Sequence, residues 1–199
     1  VPEWPPVMPR PIIIDTDPGQ DDALAILLAL ASPELDVRGI TCVAGNVPLA
    51  LTSRNARMVC ELAGRTDVPV YAGASAPLER ELVTAEYVHG KTGLDGYDLP
   101  EPSMPLAEGH AVDFIIETTM DSAPGSLTLC ALGPVTNLGQ ALRQAPEIGP
   151  RLQEIVLMGG GLFEGGNTTP AAEFNIYVDP EAADLVMHCG APVVMIPLD

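Results

Sequence analysis

The sequence predicts an α/β fold: a mostly parallel sheet with helices packed on both faces. Two observations lead there. Short apolar, β-branched runs alternate with helical patterns along the chain, the order expected of parallel strands joined by crossover helices. These runs are apolar at nearly every position, as strands covered on both faces are. A third observation points to function. The polar residues that interrupt the pattern follow the strands, and in such sheets sites lie beyond the carboxyl ends of the strands.

The elements follow in order. Ile12–Ile14 reads as a first strand, and Ala23–Ala31 as a helix apolar on nearly every side and therefore buried. Val37–Val43 is a second strand; Leu49–Ala63 is a helix ended by Gly64. Val68–Tyr71 is a third strand. Residues 72–108, rich in Gly, Pro and Glu, show no period, and so long a loop in a compact domain usually serves function. Ala111–Met120 is a helix, Leu127–Leu132 a strand and Asn137–Gln144 a helix capped by Asn137. Ile155–Met158 is a strand, followed by a glycine-rich loop to Asn175. Glu181–Cys189 is a helix with Pro180 at its first turn, and Val193–Ile196 is the last strand. With no helix after it, part of that strand's face should be uncovered.

The chain has 199 residues, enough for one domain with a sizeable core. Nine Lys and Arg against 27 Asp and Glu leave a formal charge of −18. A phosphate-backbone or anionic-membrane binder needs the opposite sign, so neither nucleic acid nor membrane is expected as a partner. Hydrophobic residues, at 47%, are too many for a disordered acidic chain. Cys42, Cys60, Cys130 and Cys189 are far apart, with no C-x-x-C. Cys42 and Cys130 lie in apolar runs, which suits reduced, buried thiols and a cytoplasmic setting. Residues 1–7 read as a leader ahead of a domain spanning residues 8–199.

Asp15, Asp17, Asp21 and Asp22 lie within eight residues, with Pro18 and Gly19 making a tight turn between strand and helix. Asp21 or Asp22 serves as a helix cap, which accounts for one or two of the four. Asp15 and Asp17 at the strand end remain. Converging carboxylates raise each other's pKa unless a cation neutralises them. Oxygen-only ligands favour Ca²⁺ or Mg²⁺ over zinc. A strand ending in D-x-D also opens the haloacid-dehalogenase phosphotransferases, whose first Asp is the nucleophile. Those usually carry Thr or Val where this chain has Gly19, and they lack the pair at 21–22.

The stretch IIIDTDPGQDDALAI at 12–26 resembles the opening signature of the inosine/uridine-preferring nucleoside hydrolases. AGN at 44–46, HGKTGLDG at 89–96, ALGPVTN at 131–137, VLMGGG at 156–161 and GNTTPAAEFNIYVDPEAA at 166–183 resemble that family's later blocks, in order. The resemblance implies an open Rossmann-like nucleoside hydrolase core. It also implies a chain holding the N-terminal two-thirds of that domain, with the C-terminal part missing. It implies hydrolysis of the N-glycosidic bond of ribonucleosides to base and ribose, in purine or pyrimidine salvage, by a homodimer or homotetramer. It implies Ca²⁺ held by Asp17, Asp22 and the backbone carbonyl of Leu132, with Asp17 as the base for the metal-bound water and Asp15 supporting the cluster. Asp21, Asn46, Asn167, Glu173 and Asn175 would bind the sugar, Met158 would pack on it, and His89 would contact substrate from a loop that closes over the base. The family's leaving-group acid and last calcium ligand have no counterpart before Asp199. A non-catalytic remnant that keeps the ribose and metal pocket is the alternative.

Plain readings stand beside several of these. Asn46 could be a turn residue, and Gly159–Gly161 could only permit a tight turn. Glu173 and Asn175, at alternating positions, would point the same way if extended. His110 and His188 read as surface or structural helix residues.

Overall fold

A computed structural model describes residues 8–96 and 99–199, so the leader expected at 1–7 lies outside the described residues. The strands are β1 (Arg10–Thr16), β2 (Leu35–Cys42), β3 (Val70–Ala72), β4 (Thr128–Ala131), β5 (Glu154–Met158) and β6 (Val193–Ile196). They form one sheet in the order β3-β2-β1-β4-β5-β6. Every pair is parallel. The chain winds outward from β1 to β3, then crosses to the other side of β1 with β4. The crevice at that reversal, between the carboxyl ends of β1 and β4, is where a sheet of this order accepts a ligand.

The helices are α1 (Gln20–Ala31), α2 (Leu49–Leu62), α3 (Glu86–His89), α4 (Ala111–Asp121), α5 (Thr136–Gln144), α6 (Phe174–Val178) and α7 (Pro180–Met187). Successive residues of β1 point to opposite faces. Ile12 and Ile14 therefore join Ile40, Ile26 of α1 and Val59 of α2 in one core. Ile13 joins Leu129, Ile155, Ile115 of α4, Leu138 of α5 and Val186 of α7 in the other. Both faces are covered, as the unbroken apolar runs require.

Several local expectations need correction. Helix α1 is not buried all round: Leu24 and Leu28 are 69% and 71% exposed, because only one side meets the sheet. Its cap is Gly19, with Asp22 reaching back to accept the Gly19 N–H at 3.0 Å. Asn137 does not cap α5; it lies inside the helix, fully buried. Glu173 and Asn175 are not extended, since Glu173 caps α6 and Asn175 belongs to it. His110 is the cap of α4 rather than part of it. Helices α3 and α6, and a 3₁₀ turn over Pro146–Arg151, are too short to leave a period in the sequence. Cys42 and Cys60 are buried, Cys130 and Cys189 only partly, and all four are free thiols. On β6, Val194 and Ile196 are half exposed, as expected. Among the described residues no helix is long and apolar enough to cross a membrane.

Candidate active site

The site starts from a turn. β1 ends at Thr16, Pro18 fixes its own φ, and α1 begins at Gln20. Gly19 is needed for close approach: a Cβ there would fall 2.5 Å from Nδ1 of His89. The turn aims Asp15, Asp17 and Asp22 inward and leaves Asp21 exposed.

The three buried carboxylates stand in different environments. Asp15 lies deepest. Its Oδ1 accepts hydrogen bonds from Thr41 Oγ1 at 2.5 Å and Asn137 Nδ2 at 2.7 Å, while Oδ2 has no partner among the described residues. Burial pushes its pKa up to about 7, against the opposing pull of Asn137 and Thr41. Asp22 accepts from Thr16 Oγ1 at 2.7 Å and from Gly19 N–H, and burial raises it to about 6. Asp17 accepts the Asn46 N–H through Oδ2 at 2.6 Å. Its Oδ1 is buried, with no partner among the described residues. Burial first, and the Asp22 charge second, hold the Asp17 carboxyl well above the ordinary carboxylate range. Two glycines enclose it. A Cβ on Gly45 would lie 2.1 Å from Asp17 Oδ2, and one on Gly133 would lie 2.2 Å from Oδ1.

Above this floor is a pocket of about 160 Å³. Asp21, Asp22, Asn46, His89, Leu132, Met158, Asn167, Glu173 and Asn175 all line it. Nine of the residues named from sequence therefore meet around one cavity, while Asp17 and Asp15 lie in the layer beneath. Asn46 joins the levels: its Nδ2 donates to the Asp17 carbonyl at 3.0 Å and reaches Asp22 Oδ2 at 3.5 Å. On the opposite wall, Asn175 Nδ2 donates to the carbonyls of Leu132 at 2.9 Å and Met158 at 3.2 Å. Glu173 accepts from the backbone N–H groups of Asn175, Ile176 and Gly160, which fixes both of its oxygens. Asn167 Oδ1 accepts from Phe174 N–H at 2.9 Å.

Ala85, Tyr87, Val88 and Phe174 also line the pocket and were not singled out from sequence. Ala85, Tyr87 and Val88 lie at α3, in the stretch without a period. Asn137 and Asn55 were missed as well. Asn137 spans from Asp15 to the Cys42 carbonyl and accepts the Ala74 N–H. Asn55 on α2 donates to the carbonyls of Pro18 at 3.1 Å and Thr92 at 2.8 Å, tying the Asp turn to the loop after α3. No local signal marks either residue, because their partners are distant in sequence.

The donor set fits a divalent cation. It offers Asp17 Oδ1, buried beside Gly133 and without a partner among the described residues, with the Asp22 carboxylate close enough to raise the Asp17 pKa. Among the described residues no three His, Cys, Asp or Glu side chains gather as a metal site by themselves. The phosphotransferase reading fails on this geometry. Asp15, its nucleophile, is fully buried with one oxygen held by Thr41 and Asn137.

Residues 12–199 match the model of the family described as inosine-uridine preferring nucleoside hydrolase. An uncharacterized protein of Schizosaccharomyces pombe is 57% identical over 94% of this chain and 61% of its own length. A pyrimidine-specific ribonucleoside hydrolase of Photobacterium profundum is 52% identical over 96% of this chain and 61% of its own. Among solved structures, a purine-preferring ribonucleoside hydrolase from Gardnerella vaginalis superposes with a TM-score of 0.91 at 39% identity, covering 95% of this chain and 61% of that one. A plant nucleoside hydrolase superposes with a TM-score of 0.89 at 41% identity, covering 96% and 60%. The chain thus spans about three-fifths of the length of the relatives it matches. On the family match, these identities and the shared sheet, the chain belongs to the inosine-uridine preferring nucleoside hydrolase family.

Proposed function

We propose that the protein hydrolyses the N-glycosidic bond of ribonucleosides to free base and ribose, with Ca²⁺ held by Asp17, Asp22 and the Leu132 carbonyl. The observation that carries this is Asp17: a carboxylate beneath the pocket, with Oδ1 buried and without a hydrogen-bond partner among the described residues. A cation held by these residues would neutralise the carboxylates and would supply a Lewis acid that lowers the pKa of water.

The chain's own residues supply the rest. Asp17 takes the proton from the attacking water. Asn46 and Asn175 spend their amide N–H groups on protein carbonyls, which leaves each Oδ1 to accept from a sugar hydroxyl. Asp21 and Asn167 hold the remaining hydroxyls from the pocket wall. Met158 covers the apolar side of the ring. Cleavage leaves positive charge on the sugar. The fixed carboxylate of Glu173 and the amide oxygens stabilise it without reorganising. Asp15 supports the cluster from below. A cytoplasmic setting and a homo-oligomer belong to the same reading, and four free thiols favour a reducing compartment.

The test is release of ribose from uridine, cytidine, inosine and adenosine, with and without a chelator. Pyrimidines come first, since a pyrimidine-specific relative is 52% identical and a purine-preferring one 39%. Release abolished by chelator and restored by Ca²⁺ is expected, with 2′-deoxyuridine turned over far more slowly because it cannot chelate. No release from any of the four in excess Ca²⁺ would sink the proposal. Ribose binding without turnover would support the non-catalytic alternative instead.

A further inference from the structure

The geometry points to Gln20 as a positioning residue that fixes the tautomer of His89. One atom of this contact cannot change roles. The His89 backbone carbonyl can only accept, and the Gln20 side-chain amide approaches it at 3.4 Å. That end of the amide is therefore Nε2, which donates. The other end is Oε1, and it lies 2.6 Å from His89 Nδ1. Oε1 can only accept, so Nδ1 carries the hydrogen in neutral His89. The ring nitrogen left for a substrate is Nε2, with a lone pair and no hydrogen.

The surroundings hold this arrangement. His89 packs on Gly19, where no side chain intervenes, and it lines the pocket beside Tyr87 and Val88. Asp21 Oδ1 is 4.0 Å from Nδ1, too far to compete for its hydrogen. Gln20 opens α1, so its backbone is set by the same turn that aims the carboxylates. Neutral His89 is then an acceptor toward the pocket. It receives a hydrogen bond from a substrate hydroxyl or N–H, and it does not donate one to a leaving base. The tautomer follows from the hydrogen bonds alone. Its value to turnover rests on the hydrolase reading above, and the two are tested separately.

The tautomer is read by long-range proton–nitrogen correlation on nitrogen-15-labelled protein at about pH 8.5, where an ordinary imidazole is neutral. His89→Asn identifies the His89 signals among those of three histidines. The expected spectrum has a protonated Nδ1 and a bare Nε2. In Gln20→Leu the ring should shift toward the Nε2–H form. In Gln20→Glu, which keeps an acceptor for Nδ1–H and loses the donor to the His89 carbonyl, the Nδ1–H form should persist. If Gln20 only docked the loop through that carbonyl, both variants would disturb His89 equally. A wild-type Nε2–H signature, or one unchanged in Gln20→Leu, overturns the inference. In the ribose assay, kcat/KM is expected to fall about tenfold in Gln20→Leu and to recover in Gln20→Glu, the scale of one lost hydrogen bond. An inactive wild-type protein would count against the hydrolase reading and leave the spectral test decisive.

Discussion

Asp17 is fully buried, and one of its carboxylate oxygens has no partner among the described residues. An arrangement that costs stability in the cation-free chain is what a binding site tends to retain. Substituting Asp17→Asn should therefore act in opposite directions on two measurements. Turnover should fall by more than the roughly 10²–10⁴-fold of a lost general base, since a proposed ligand is lost with it. Without cation, the same variant should melt a few degrees higher than wild type, because a desolvated acid near Asp22 has been removed. A variant with wild-type turnover would take Asp17 out of the mechanism. At this scale sequence reasoning located the Asp turn but expected four converging carboxylates, whereas Asp15, Asp17 and Asp22 are buried and Asp21 is exposed. It failed for Asn137, read as a cap because Asn favours caps. Its amide is instead claimed by Asp15, 122 residues away, and local preference yields to such a partner.

The strands and long helices were legible because each carries a full period or an unbroken apolar run. Helices α3 and α6 were not. They span four and five residues and are held by caps and by the pocket wall rather than by an amphipathic stripe. This explains why Glu173 and Asn175 were expected on one face of an extended segment. The structure reaches a similar result by another route, with Glu173 capping the helix that carries Asn175. The loop after β4 gives a test at this level. Gly133 leaves space for Asp17 Oδ1, and an added Cβ would sit 2.2 Å from it. Asp17 is short and held by Asn46, so it cannot swing far. Gly133→Ala is expected to weaken Ca²⁺ binding by more than tenfold while α5, which starts at Thr136, stays folded by circular dichroism. Unchanged Ca²⁺ affinity would mean that the carboxylate is not clamped as described.

At the scale of the molecule, the strand order brings the Asp turn and the pocket to one crevice, and the buried acids there make stability depend on pH. Asp15 titrates near 7 when folded against 3.8 as a free side chain, and Asp22 near 6. Between those values the folded chain holds protons that the unfolded chain has released. Their contribution is thus complete below about pH 4 and is lost as pH rises through about 7. Exposed carboxylates with lowered values, such as Asp67 and Glu101, are ionised throughout the range from pH 5 to 8. In chelator, the protein is expected to be more resistant to urea at pH 5 than at pH 8, and saturating Ca²⁺ should narrow or reverse the gap. Greater resistance at pH 8 in chelator would contradict the account of these acids. The most direct test of the central claim is calorimetric titration of the cation-free protein with Ca²⁺ near neutral pH. One saturable site, absent in Asp17→Asn, is expected. Heats no larger than dilution for the wild type, with ribose present or absent, would contradict it.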